Sequence, residues 1–381
     1  MSCAGRASYC DLWRSYPPGE PYWDKEHSPF RARPAPPSPP WQNIRATPVT
    51  AAALSAASDP PPAARCRALG LPAWRQVPLR RMHWLHVPKT GSSFGTALVH
   101  RGCPRIPPEA AADDGAPIVS LTSRYPRRSR RWCDKGAFLG NLNGHEPVRY
   151  PEHLGATVAL FRRPGARLLS ECAALDVEFR RAFGAAASAP SGGVYAKPFL
   201  REFLYSHGYS HAAIAKLASA WDRHLSIPLR ACLSLPDVRG CQTKMVLGVP
   251  CAAPLQLNAS LLAEAVRRLT SDFLFVGLTE EWDTSVCLFH ATLGGEAVAA
   301  EFLNARPRAR AAPNANATRV RRRDRVQLQV QTPADAWDEE LHSAAVARFR
   351  SDLQLARSSR NNSDELARYL LSSTADLVQS L

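Results

Sequence analysis

His83-Trp84-Leu85-His86-Val87-Pro88-Lys89-Thr90-Gly91-Ser92-Ser93-Phe94 is the stretch that decides how this chain folds. Its first half is an apolar run ending at Val87, of a length that suits a short buried strand. Pro88-Lys89-Thr90-Gly91 breaks the run, and the residues from Ser92 to Val99 read as the start of a helix. A strand, a tight turn and a helix N-terminus make a cradle for an anion. The first-turn N–H groups lack intrahelical acceptors, and the helix dipole adds about half a positive charge there. Lys89 supplies a full charge, and the hydroxyls of Thr90, Ser92 and Ser93 can donate further hydrogen bonds.

The nucleotide-triphosphate P-loop spells G-x-x-x-x-G-K-[ST]. Here the Lys precedes the Gly and the loop is shorter. That order resembles the 5′-phosphosulfate loop, Pro-Lys-[Thr/Ser]-Gly-[Ser/Thr], of sulfotransferases that use 3′-phosphoadenosine 5′-phosphosulfate (PAPS). The likeness is closest to the Golgi carbohydrate family that includes the heparan sulfate 2-O- and 6-O-sulfotransferases. It implies that Lys89, Thr90, Gly91, Ser92 and Ser93 hold the 5′-phosphosulfate.

A second strand-loop-helix follows. Ala156 to Phe161 is a short apolar run, Arg162-Arg163-Pro164-Gly165 breaks it, and Ala166 to Leu175 has helical spacing. Phe161-Arg162-Arg163-Pro164 through Leu169-Ser170 resembles the family's 3′-phosphate motif, which implies that Arg162 and Ser170 hold that phosphate. A planar five-donor guanidinium suits a phosphate dianion better than an ammonium does. Arg163 departs from the family pattern, which carries Asp there. The change removes a carboxylate that favours the helix start and adds a positive charge beside the proposed phosphate.

Between the motifs lies Gly140-Asn141-Leu142-Asn143-Gly144-His145-Glu146-Pro147, which resembles the family segment bearing the catalytic His. Sulfuryl transfer needs an acceptor hydroxyl in line with the sulfur and a group to take its proton, work that suits a neutral imidazole. His145 is the candidate base and Glu146 the reserve. The resemblance also gives Lys89 a second task, stabilising charge on the bridging oxygen as sulfur leaves. His86 is expected to pack beneath the loop. The chemistry requires no metal, and no ligand spacing suggests one.

Two further segments resemble the family. Cys241 to Gly248 matches a short polar-basic helix lining the acceptor cleft. Ser271 to Asp283 matches a strand-to-helix junction, with Phe273 to Leu278 as a buried strand and Thr279, Glu280, Glu281 and Asp283 opening the helix. The likeness spans residues 82 to 356, with long unmatched stretches.

The chain has 381 residues, 45% of them apolar, enough to bury a full α/β core. Residues 1–78, dense in Pro, Ala and Ser, keep no period and read as an arm of low order. Residues 79–356 form the expected domain, with a loose basic stretch at 306–325. Within it Asp338 to Leu355 carries amphipathic helical spacing at Leu341, Ala345, Val346, Phe349 and Leu353. Residues 357–381 are a tail of helical potential. Net charge is +15, with Arg clusters at 124–131 and 319–325. A basic surface draws polyanions; beside a PAPS site an acidic glycan is the natural partner, with a neutral one also open. Nucleic acid is not expected, since no interleaved aromatics accompany the Arg runs. Ten cysteines suit a disulfide-forming compartment, and Cys241 with Cys251, or either with Cys232, are close enough in sequence to pair. Asn258, Asn316 and Asn361 begin glycosylation sequons. The family implies the Golgi lumen and an N-terminal membrane anchor. The sequence carries neither a signal peptide nor an apolar span of about 18 residues, which leaves a truncated gene model, an unusual targeting route or a non-secretory protein.

The expectation is an α/β fold: a P-loop-kinase-like three-layer sandwich with a mostly parallel sheet and both anion loops at carboxyl ends of strands. The expected activity is sulfuryl transfer from PAPS to a sugar hydroxyl. A non-catalytic glycan-binding relative is the alternative. A P-loop-type kinase is more remote, because it needs a Lys after the Gly and an acidic Mg²⁺ ligand after a strand.

Overall fold

The computed structural model describes residues 60–106 except 73 and 76–79, 133–179 except 135–136 and 140–144, residues 209, 212–213, 216–217 and 220, 227–302 except 236 and 254, and 335–358. Helix α1 (Pro62–Ala68) opens on a proline, whose fixed φ suits a first helical position. Its buried side chain is Cys66, bonded to Cys287. A two-residue strand, β1 (Trp74–Arg75), follows. The stretch from residue 60 is thus tied to the domain by a covalent link that composition does not reveal. Residues 1–59 lie outside the described residues, as do both Arg clusters and most of the tail.

The strand read at residues 83–87 is β2 (Met82–Leu85), buried along its whole length. A 3₁₀ turn (Ser92–Phe94) runs into α2 (Gly95–Gly102). After β3 (Phe138–Leu139) come β4 (Thr157–Phe161) and α3 (Pro164–Phe179), the second strand-loop-helix. Short helices α4 (Leu229–Leu233) and α5 (Cys241–Val246) precede α6 (Ala259–Ser271) and β5 (Phe273–Leu278). A 3₁₀ turn (Thr279–Glu281) leads into α7 (Trp282–Leu293), and β6 (Gly295–Glu296) pairs antiparallel with β1. The last described element is α8 (Ala336–Ser358), with Leu341, Ala345 and Phe349 buried and Val346 and Leu353 packed at the core edge.

The main sheet has the order β3-β2-β4-β5, every pair parallel. Strands buried on both faces explain why their sequences run apolar without alternation. Three residues of β2 pair with β4: His83 with Thr157, Trp84 with Val158 and Leu85 with Ala159. The architecture is therefore α/β with a four-stranded parallel sheet. From β2 the chain crosses to β3 on one side; from β4 it crosses to β5 on the other. The reversal falls between β2 and β4, and in open parallel sheets ligands bind in the crevice beyond the strand ends at such a point. Phe94, just past the first loop, sits 5.9 Å from Phe275, 5.3 Å from Phe289 and 6.0 Å from Trp282, ring centre to ring centre. These contacts fix the start of α2 against β5 and α7.

Candidate functional site

The loop after β2 turns through two left-handed residues, Lys89 (φ 67°) and Gly91 (φ 91°). A Cβ on Gly91 would stand 3.0 Å from Trp282, 3.1 Å from Thr279 and 3.2 Å from Leu160, so the position needs glycine for both conformation and space. Lys89 adopts its φ at a cost of about 1 kcal/mol. Its carbonyl accepts a hydrogen bond from Arg162 Nη1 at 3.0 Å. Thr90 Oγ1 donates to Val87 O at 2.8 Å, so this buried hydroxyl closes the turn and its proton does not face an incoming anion. The Ser92 hydroxyl, half-buried, and the Ser93 hydroxyl, buried, make no hydrogen bond among the described residues. The N–H groups of Gly91, Ser92 and Ser93 precede the first helical bond, Phe94 N to Gly91 O at 2.9 Å.

The loop after β4 is held from three sides. Gln242 grips the backbone of Arg162 through both amide atoms: Arg162 N donates to Oε1 at 3.0 Å, and Nε2 donates to Arg162 O at 3.1 Å. One residue on, Arg163 N donates to Glu280 Oε1 at 2.9 Å. The carboxylate missing at position 163 is thus supplied from the far end of β5, at the N-terminus of α3 where negative charge is favoured. Burial pushes the Glu280 carboxyl up, but His342 and the Arg163 N–H outweigh it and hold it below its ordinary value. Burial draws the Arg162 guanidinium below its ordinary value, with Glu280 opposing and Arg167 adding to the fall. A half-buried guanidinium with one donor on a carbonyl keeps other donors for an anion. Ser170, in the second turn of α3, is half-buried and makes no side-chain hydrogen bond among the described residues.

His145 comes to the same loop from the other direction. Its Nδ1 lies 2.6 Å from His86 O, and the two rings sit 4.4 Å apart. A carbonyl only accepts, so Nδ1 is the donor, and in the neutral ring the lone pair is left on Nε2. That is the tautomer of a proton acceptor whose orientation is fixed from behind. Glu146 instead lies 3.6 Å from the exposed Arg149 guanidinium. His86 is buried, with Trp84 5.5 Å away, and so packs beneath the loop as expected. The carbonyls of residues 86 and 89 thereby gather His145 and Arg162 onto one turn of chain.

Helix α5 departs from expectation. All its side chains are buried, so it lines no open cleft. Asp338 of α8 accepts from Gln242 N at 3.2 Å, Thr243 N at 2.9 Å and the Thr243 hydroxyl at 2.9 Å. Asp335 accepts from Gly240 N at 2.9 Å. Carboxylates at a helix N-terminus satisfy its orphan donors, and Arg167, itself buried, lies 3.7 Å from Asp338. A Cys241–Cys251 disulfide and a Lys244 Nζ bond to Cys251 O at 3.0 Å close the unit. The unit's role is to hold Gln242, and through it Arg162. Sequence reasoning missed Gln242, Glu280 and Asp338 as supports; the one available signal was an acidic residue, Asp338, beside the apolar stripe of α8.

No group of three or more His, Cys, Asp or Glu among the described residues is set to hold a metal ion. No helix among them is long and apolar enough to cross a membrane. No family model, curated protein or solved structure matches this chain.

Proposed function

We propose that this chain is a PAPS-dependent O-sulfotransferase acting on a carbohydrate hydroxyl, built on a P-loop-kinase-like three-layer sandwich. The observation that carries the reading is the contact of Arg162 with the Lys89 turn, at the point where the parallel sheet reverses direction. Two cationic strand-loop-helix junctions touching there suit a ligand with phosphates at both ends. Lys89, Gly91, Ser92 and Ser93 hold the 5′-phosphosulfate, with Thr90 shaping the turn; Arg162 holds the 3′-phosphate, with Ser170 behind it. His145 accepts the hydroxyl proton at Nε2 as the acceptor oxygen bonds to sulfur. The sulfur–oxygen bond to the 5′-phosphate breaks, Lys89 stabilises the charge left on that oxygen, and adenosine 3′,5′-bisphosphate is released.

The four disulfides among the described residues support a luminal setting such as the Golgi, since such bonds persist in oxidising compartments. A glycan acceptor, acidic or neutral, fits that setting.

Calorimetric titration of the full chain with adenosine 3′,5′-bisphosphate tests the site. Binding that is lost in Lys89→Ala, Arg162→Ala supports it; no binding, or equal affinity in the double variant, overturns it. A radiolabelled-PAPS assay against a panel of glycans tests the activity. His145→Ala is expected to abolish transfer and keep nucleotide binding. Glycan binding without turnover by the wild type would give the protein to the non-catalytic reading.

A further inference from the structure

We propose that Asn258 carries an N-linked glycan. The inference is independent of the sulfotransferase reading and rests on how the folded chain divides the two ends of one amide. Asn258-Ala259-Ser260 is a sequon without proline at its middle position. In the structure Asn258 is the N-cap of α6, with extended backbone, and its Oδ1 accepts from Leu261 N at 2.9 Å. That bond fixes which end of the amide is oxygen, because a backbone N–H needs an acceptor. Nδ2, the atom that bears an N-linked sugar, is therefore turned away from the helix, and it makes no hydrogen bond among the described residues.

Asn258, Ala259 and Ser260 are all exposed. Capping and glycosylation use opposite ends of the same side chain, so the helix keeps its cap when the sugar is attached. A sequon buried in a strand, or one whose Nδ2 served the fold, would lack this compatibility. The four disulfides among the described residues supply the second condition, because a chain that forms them passes through the compartment where such glycans are added.

The chemistry is a transfer from a lipid-pyrophosphate-linked oligosaccharide. Asn258 Nδ2 bonds to the anomeric carbon of the first sugar, that carbon's bond to the pyrophosphate oxygen breaks, and the lipid pyrophosphate leaves. Nδ2 gives up one proton to a base of the transferase. The Ser260 hydroxyl is the element the transferase must recognise, and in the fold it stands at the second position of α6, exposed beside its Asn.

The test sends the full chain through the secretory pathway of a eukaryotic cell behind a cleavable signal. Secreted protein with its disulfides intact is treated with peptide-N-glycosidase in heavy-oxygen water and mapped by mass spectrometry. Asn258 is expected to appear as heavy-oxygen Asp in the wild type. The label is expected to vanish in Ser260→Ala and Asn258→Asp, which both keep an acceptor oxygen at the cap and melt with the deglycosylated wild type. Disulfide-intact wild type whose Asn258 is wholly unlabelled overturns the proposal, whatever the state of Asn316 and Asn361.

Discussion

Arg162 Nη1 donates to the backbone carbonyl of Lys89 across 3.0 Å, so a side chain from the β4 loop is bonded to the main chain of the β2 loop. Because the acceptor is a carbonyl, replacing the Lys89 side chain leaves the bond in place. The two cations can therefore be tested separately. Lys89→Ala removes a charge without loosening Arg162. Arg162→Lys keeps a charge but loses the planar fork that can bond Lys89 O and an anion together. A charge-assisted hydrogen bond contributes about 1.5–3 kcal/mol. Each variant is expected to bind adenosine 3′,5′-bisphosphate roughly 10- to 100-fold more weakly by calorimetry. Wild-type affinity in Arg162→Lys would show that the fork does not contact the nucleotide.

The Gln242 clamp makes a different prediction. Gln242→Ala strips partners from the N–H and C=O of Arg162 at once. Half-buried groups left unpaired cost about 1–3 kcal/mol, read as a lowered midpoint in urea, with weaker nucleotide binding as the loop loosens. Gln242→Glu keeps an acceptor for Arg162 N but sets a carboxylate oxygen against Arg162 O, so it is expected to be worse than Ala. The opposite order in the urea midpoints would mean that the clamp acts by shape alone.

What was legible in the sequence was what local chemistry decides. Lys89 and Gly91 sit in the turn their spacing implied, the strand at 273–278 matches residue for residue, and Leu341, Ala345 and Phe349 of α8 are buried, with Val346 and Leu353 partly so. Cys241 pairs with Cys251, one of the options the spacing left open, while Cys232 pairs with Cys172. What was not legible depends on partners remote in the chain. Position 163 looked like a defect until Glu280, 117 residues away, was found capping the same helix. The helix at 241–246 was expected to line the acceptor cleft, but it is buried, with Gln242 and Thr243 satisfied by Arg162 and Asp338, which no local pattern announces. The bond from Cys66 to Cys287, across 221 residues, is of the same kind.

That long bridge can be opened. Cys66→Ala, Cys287→Ala frees α1 of its covalent link to α7; the contacts that remain include an exposed Arg65–Asp283 pair at 3.4 Å, the Arg65 guanidinium 5.2 Å from the Phe302 ring centre and an Arg357 bond to Leu69 O at 3.0 Å. Exposed pairs contribute little. Loop-closure entropy puts the bridge at about 3–5 kcal/mol. Amide exchange across residues 62–68 is expected to approach that of free chain, while α6, which carries no disulfide, changes only through the global loss of stability. Continued protection of α1 in the double variant would show that packing of α1, rather than the bond, holds the segment.

The amino end of the sheet carries its own pH response. His83 on β2 and His153 stack with ring centres 3.6 Å apart. Arg149 N donates to His153 Nδ1 at 3.0 Å, which needs an unprotonated nitrogen there. Burial, then the neighbouring His153, pushes His83 down to about 3 from 6.5, and burial lowers His153 as well. Between those values the unfolded chain binds a proton at His83 that the folded one refuses, so stability rises with pH across the window and is lost as pH falls below about 6.5. One such group gives a slope of about 1.4 kcal/mol per pH unit. His83→Phe keeps the stack, removes that titration, and deletes a ring nitrogen, Nε2, that is buried without a hydrogen-bond partner; it also gives up a 3.3 Å contact to Leu139 O. The variant is expected to match the wild type within about 1 kcal/mol at pH 8 and to exceed it at pH 5, as urea midpoints at the two values would show. Parallel pH profiles for the two proteins would mean that His83 is not the group that refuses the proton.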